Sequence, residues 1–155
     1  MATILVTLHV LAAAAWLGGA AYERFVVVPD VRRGWGTSGG WALFRLMLRP
    51  ERLVVGTVAV LAATGAAMAI IGHDGFFHLS WVGAKQAVLV LIVVGYLVGV
   101  RPGLARMRGD VERVHRGAPE RPNLRPDFER LVTRLDVIHV GIVVNVILAL
   151  WKPGT

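Results

Sequence analysis

Apolar residues in this chain gather into four long runs instead of alternating with polar ones. The runs extend over about Ile4 to Val28, Leu53 to Ile71, Leu79 to Val100 and Leu131 to Trp151. About 18 or more apolar residues suffice to cross roughly 30 Å of hydrocarbon as a helix. Only a structure that satisfies its own backbone hydrogen bonds can do so, and a helix does this within one segment. A soluble domain of 155 residues has no core able to bury all four runs. The pattern therefore predicts an all-α integral membrane protein, a single four-transmembrane-helix bundle.

The polar stretches between the runs give the expected breaks. Pro29 should end the first span, Arg101 and Pro102 the third, and Lys152-Pro153-Gly154 the fourth. Residues 101–130 are too polar to enter lipid, and Pro119, Pro122 and Pro126 predict only short helices there. Trp41 and Phe44 are placed to sit at the membrane interface. Ala12 to Ala15 could mimic a signal-peptide cleavage site. However, no basic residue precedes the first apolar run, and Glu23 and Arg24 follow it, so a retained first helix is expected.

Charge adds orientation. The formal net charge is +7, and 15 of the 17 Lys and Arg residues lie in or beside the first and third connections. The second connection, from Gly72 to Leu79, contains none. The positive-inside rule then puts the two basic connections in the cytoplasm and both termini on the outer side. A soluble protein this basic would suggest nucleic acid, but the basic segments form no recognisable binding module. Lipid is the expected partner. Cysteine is absent, which excludes disulfides, thiolate metal sites and thiol catalysis. Small residues four apart (Ala14 with Gly18, Ala15 with Gly19, Gly83 with Ala87, Gly95 with Gly99) should let helix backbones approach closely.

Candidate chemistry lies in the polar residues inside the spans, since each costs at least a few kcal/mol in hydrocarbon and needs a partner or a purpose. They are His9, Glu23, Arg24, Lys85, Asp136 and His139. His9 is followed at helical spacing by Ala13, Trp16, Ala20 and Glu23, a face expected to point into the bundle. Such a histidine can ligate a haem or metal, or simply hydrogen-bond a neighbouring helix. Counting residues puts Lys85 at a depth similar to His9, where it can bind a carboxylate or snorkel outward. His139 follows Asp136 by about one turn and lies deeper than His9 by roughly ten or more ångströms. Glu23, Arg24 and Asp136 are expected to pair with each other or with Arg52 or Arg134. His73, Asp74 and His78 in the second connection could collect copper, although their spacing fits no strict metal signature.

Four stretches carry a family resemblance: Leu8-His9-Val10 with Trp16-Leu17-Gly18-Gly19 and Tyr22; Glu51-Arg52-Leu53 with Thr64-Gly65; Trp81-Val82-Gly83-Ala84-Lys85 with Gly95-Tyr96; and Asp136 with Lys152-Pro153. In these the chain resembles the HemJ type of protoporphyrinogen oxidase and, more loosely, the membrane domain of CopD-like copper-resistance proteins. Leu135-Asp136-Val137-Ile138 stands where the HemJ pattern has Asn-Glu-x-Pro, and no histidine follows Tyr96. The resemblance implies a multi-pass protein of the prokaryotic cytoplasmic (inner) membrane that binds haem b, or copper on the CopD side. It implies His9 as iron ligand, with Trp16, Tyr22 and Arg52 in the cofactor surroundings; His139 stands where the HemJ pattern has apolar residues and is a candidate second ligand on the haem reading alone. Lys85 would bind a propionate or the iron, and Lys85 and Asp136 would be the catalytic groups. An oxidase would take a porphyrin substrate and a quinone-like electron acceptor, and a homodimer would enlarge the room for a cofactor. A scaffold whose polar residues merely pair between helices is the competing reading.

Overall fold

The computed structural model describes residues 2–49, 51–71 and 81–151. The described residues are helical apart from short connections, and four helices are long and apolar enough to cross a membrane. They comprise α1 (Ala2–Tyr22), α2 (Val28–Arg33), α3 (Ser38–Met47), α4 (Glu51–Ile71), α5 (Trp81–Gly95), α6 (Arg101–His115) and α7 (Leu124–Trp151). Single π-helical turns, Glu23–Val27 and Tyr96–Val100, join α1 to α2 and α5 to α6.

Those π turns overturn two expected helix ends. Pro29 and Pro102 do not stop their helices, which continue to Arg33 and His115. Proline lacks an N–H, and its ring clashes with the carbonyl four residues back. In each case the preceding turn is widened: Val28 N–H donates to the Glu23 carbonyl and Arg101 N–H to the Tyr96 carbonyl, both five residues back. The wider turn shifts the obstructing carbonyl, and the proline then opens a new α segment, where its fixed φ is favourable. Likewise α7 begins at Leu124, seven residues before the expected start, with Pro126 in its first turn. The first N–H groups of a helix have no intrahelical partner, so proline costs little there. The short helices expected over 101–130 are thus extensions of the spans. α6 stops in a glycine cap: Gly117 has φ 91°, Ala118 N–H donates to the Arg113 carbonyl and Gly117 N–H to that of Val114.

The architecture is a hairpin made twice. The two π turns, the two prolines and the starts of α4 and α7 are each separated by 73 residues (23 to 96, 29 to 102, 51 to 124). α1 pairs mainly with α4, and α5 with α7. In the second pair Ile92 packs onto Gly141, where an added Cβ would lie 2.9 Å from Ile92 Cγ1.

The core is at the basic end. α2, α3, α6 and the first turns of α7 bury Val28, Val31, Val111, Leu124, Phe44 and Phe128 almost completely. Phe44 and Phe128 meet edge to face with centroids 4.9 Å apart, and Trp35 packs 5.6 and 5.4 Å from them. Trp41 is buried 5.1 Å from Trp35. Trp41 and Phe44 are thus buried within the chain itself, packed against Trp35 of the Gly34–Thr37 turn. α3 is started by Thr37, whose hydroxyl accepts from Gly40 N–H at 3.0 Å and donates to the Gly34 carbonyl at 2.7 Å. Gly40 has no alternative, because a Cβ there would stand 1.8 Å from the Gly34 oxygen.

The spans themselves are thinly covered. Only 11–22% of each apolar window is buried within the chain. Ala14, Ala15, Gly18 and Gly19 are exposed, and a Cβ on either glycine would meet nothing within 4 Å. These small residues do not form the close helix contact expected of them, because the α1 face toward α4 is the one carrying His9. Gly95 does make a close contact, with Ile138.

Candidate functional site

Polar contacts between the spans include three that involve the candidate residues. In the first hairpin His9 Nδ1 lies 2.8 Å from Thr64 Oγ1. The face of α1 expected to point inward does so: His9, Ala13, Trp16, Ala20 and Glu23 are all buried or half-buried, whereas Leu8, Val10 and Leu11 are exposed. Its imidazole passes beside Gly65, where an added Cβ would sit 3.6 Å from His9 Cε1.

The threonine determines which imidazole nitrogen carries the proton. Thr64 Oγ1 is 2.6 Å from the Val60 carbonyl and 3.3 Å from that of Leu61, and a hydroxyl has one proton to give. That proton goes to a carbonyl, so the hydroxyl accepts from His9 Nδ1–H. In that tautomer Nε2 carries the ring's lone pair, and the Leu61 backbone also hydrogen-bonds the imidazole. A ring fixed through one nitrogen with the other unprotonated is the arrangement of a metal-ligating histidine. The half-buried Lys85 is close enough to His9 to act on it electrostatically, and its own carbonyl accepts from Asn145 Nδ2 at 3.4 Å in the second hairpin.

The third contact joins the hairpins. Arg24 Nε and Asp136 Oδ1 form an ion pair at 2.6 Å, one of the pairings expected. Both act on His139, one turn further along α7. Glu23 does not share in this pair, and among the described residues its carboxyl has no polar partner. Arg134 donates instead to the Gly99 carbonyl at 2.7 Å.

The ion pair also sets the register between α1 and the antiparallel α7. His9 lies 15 residues from Arg24 and His139 three from Asp136, both toward the same end. At ~1.5 Å rise per residue, the two imidazoles are about 18 Å apart along the axis. They belong to different polar layers, too far apart to ligate one iron. Trp16 packs against the core, while Tyr22, 13 residues past His9, is exposed. The Arg52 side chain and the proposed copper ligands His73 and His78 lie outside the described residues. Among the described residues no group of three or more His, Cys, Asp or Glu side chains could hold a metal ion.

Thr64 escaped the inventory of polar residues because a threonine in a helix usually spends its hydroxyl on the carbonyl one turn back. Its position opposite His9 becomes evident only once the hairpin is formed. The basic end also contains structure that a topology argument overlooks. Arg32 grips Glu129 with two nitrogens at 3.0 and 2.5 Å, Arg45 and Arg116 converge on Glu112, and Arg108 donates to the Leu48 carbonyl. Arg121 bridges Asp127 at 2.6 Å and Asp110 at 3.0 Å. Its hydrogen bond to Asp127 and the charge of Asp110 hold the guanidinium still more firmly protonated than usual.

Compared with known protein families, curated proteins and solved structures, the chain matches none of them.

Proposed function

We propose that the chain is a multi-pass protein of a prokaryotic cytoplasmic membrane, with its basic end inside and both termini outside, that binds haem b through His9. The orientation follows the concentration of arginines at one end. One observation carries the ligand assignment: the Thr64 hydroxyl holds His9 Nδ1–H, so that Nε2 carries the ring's lone pair within an apolar bundle. The nearby Lys85 ammonium suits a propionate, whose charge would otherwise be uncompensated in a low-dielectric setting. The resemblance to HemJ-type oxidases in the stretches around His9, Thr64 and Lys85 supports the same choice of group.

When bound, haem supplies one-electron chemistry, and the protein's part is to bind, orient and tune it. If haem were bound, His9 would hold its iron, Thr64 would raise the basicity of the imidazole and fix its ring plane, and Lys85 would hold a propionate. His139, in the layer of Arg24 and Asp136, is assigned a proton-handling role beside that pair instead of the sixth ligand position. A porphyrin-type substrate and a membrane quinone are the redox partners this reading calls for.

Absorption spectra after haem addition test it. The purified wild-type protein should develop a Soret band that His9→Ala abolishes and His139→Ala leaves in place. A wild-type protein that takes up no haem would refute the reading. So would a Soret band that His9→Ala leaves unchanged.

A further inference from the structure

We infer that the groove between α6 and α7 at the basic end is a binding site for the phosphate group of an anionic phospholipid. The inference is independent of haem but rests on the four helices crossing a membrane.

A cavity of about 200 Å³ opens there, lined by the side chains of Arg106, Arg121, Arg130 and Arg134 with Asp127 as the one carboxylate among them. Its floor is apolar, formed by the buried Met107 and Leu131. The arginines are unequally engaged. Arg121 is held by Asp127 and Asp110, Arg130 stands at 3.5 Å from Asp127, and Arg134 donates one nitrogen to the Gly99 carbonyl. Arg106 has no polar partner among the described residues, although it faces the same space. Four guanidiniums share this space with Asp127 in its lining and Asp110 behind Arg121, so a further anion between them would relieve their mutual repulsion. Phosphate oxygens, like those of a carboxylate, match the planar guanidinium fork and can accept from several arginines at once.

Position identifies the source of the phosphate. The cavity lies directly past the apolar stretch that ends at Val100, and Arg134 opens the apolar part of α7. One turn above the cavity, Val98 and Val137 are among the most exposed apolar side chains. A lipid with its headgroup among the arginines would lay its chains along that surface. Basic pockets between helices at this level of a membrane recognise anionic headgroups. A free phosphate would use the arginines and leave the apolar track unused.

The test is native mass spectrometry of the full chain released from detergent with phosphatidylglycerol, phosphatidylcholine or inorganic phosphate. Wild type should retain phosphatidylglycerol in preference to phosphatidylcholine. Arg106→Gln and Arg130→Gln should each weaken retention about tenfold, the value of a charge-assisted hydrogen bond. Arg33→Gln removes an equal charge from an exposed arginine outside the cavity and should leave retention unchanged. Using two cavity variants guards against one failing to fold. Equal retention of the two lipids would overturn the inference, as would an equal effect of Arg33→Gln. Inorganic phosphate displacing phosphatidylglycerol at equal concentration would overturn the lipid assignment.

Discussion

The spans and the basic end of this molecule reverse the usual relation between hydrophobicity and core. The most apolar segments bury only 11–22% of their windows inside the chain, whereas the arginine-rich end encloses Phe44, Phe128 and Leu124 almost completely. Lipid dictates the packing of the spans and water that of the basic end. At the basic end, apolar side chains leave water only by packing on each other, so a globular core forms among the charges. In the spans, lipid is as apolar as leucine and gives no such drive, so small polar contacts fix the helices instead.

Substitutions should separate the two regimes, with thermal unfolding in detergent as the readout. The largest effect is expected from Gly40→Ala, whose new methyl would collide with the Gly34 carbonyl and break the turn beneath the aromatic cluster. A loss exceeding about 4 kcal/mol, seen as failure to accumulate folded protein, is expected. Phe44→Ala should follow at about 3–5 kcal/mol, the cost of emptying a fully packed aromatic site. In the spans, Thr64→Val keeps the shape but leaves His9 Nδ1–H without its acceptor, at about 1–3 kcal/mol. Gly18→Ala should be smaller and of opposite sign, stabilising by about 0.5–1 kcal/mol through helix propensity, because its Cβ meets nothing. Leu91→Ala, on a face 70% exposed from the chain, should stay within about 0.5 kcal/mol. If Leu91→Ala proved as costly as Phe44→Ala, the contrast between the two regions would fail.

Much of this was readable in advance, and the parts that were not share a cause. Spans follow from windows of uninterrupted apolar sequence, and the inward face of α1 from the spacing of His9, Ala13, Trp16, Ala20 and Glu23. The Arg24–Asp136 pair follows from the cost of leaving either charge alone in hydrocarbon. Pro29 and Pro102 misled because a proline signals a break only if the preceding turn stays α-helical, and here it widens to π. The aromatic core and the arginine cavity depend on residues up to about a hundred positions apart, such as Arg32 with Glu129, and no local pattern announces such pairs. The separation of His9 from His139 was legible as a difference in depth, and the Arg24–Asp136 register widens it.

His9 can serve as a ligand in this way only if Thr64 presents it. Haem titration of wild type, Thr64→Val and His9→Ala, followed in the Soret region, tests this directly. The account predicts a graded series: saturable binding by wild type, a Kd weakened about 10–100-fold in Thr64→Val as for other partners that orient a ligating histidine, and none in His9→Ala. Identical affinities for all three proteins would contradict it.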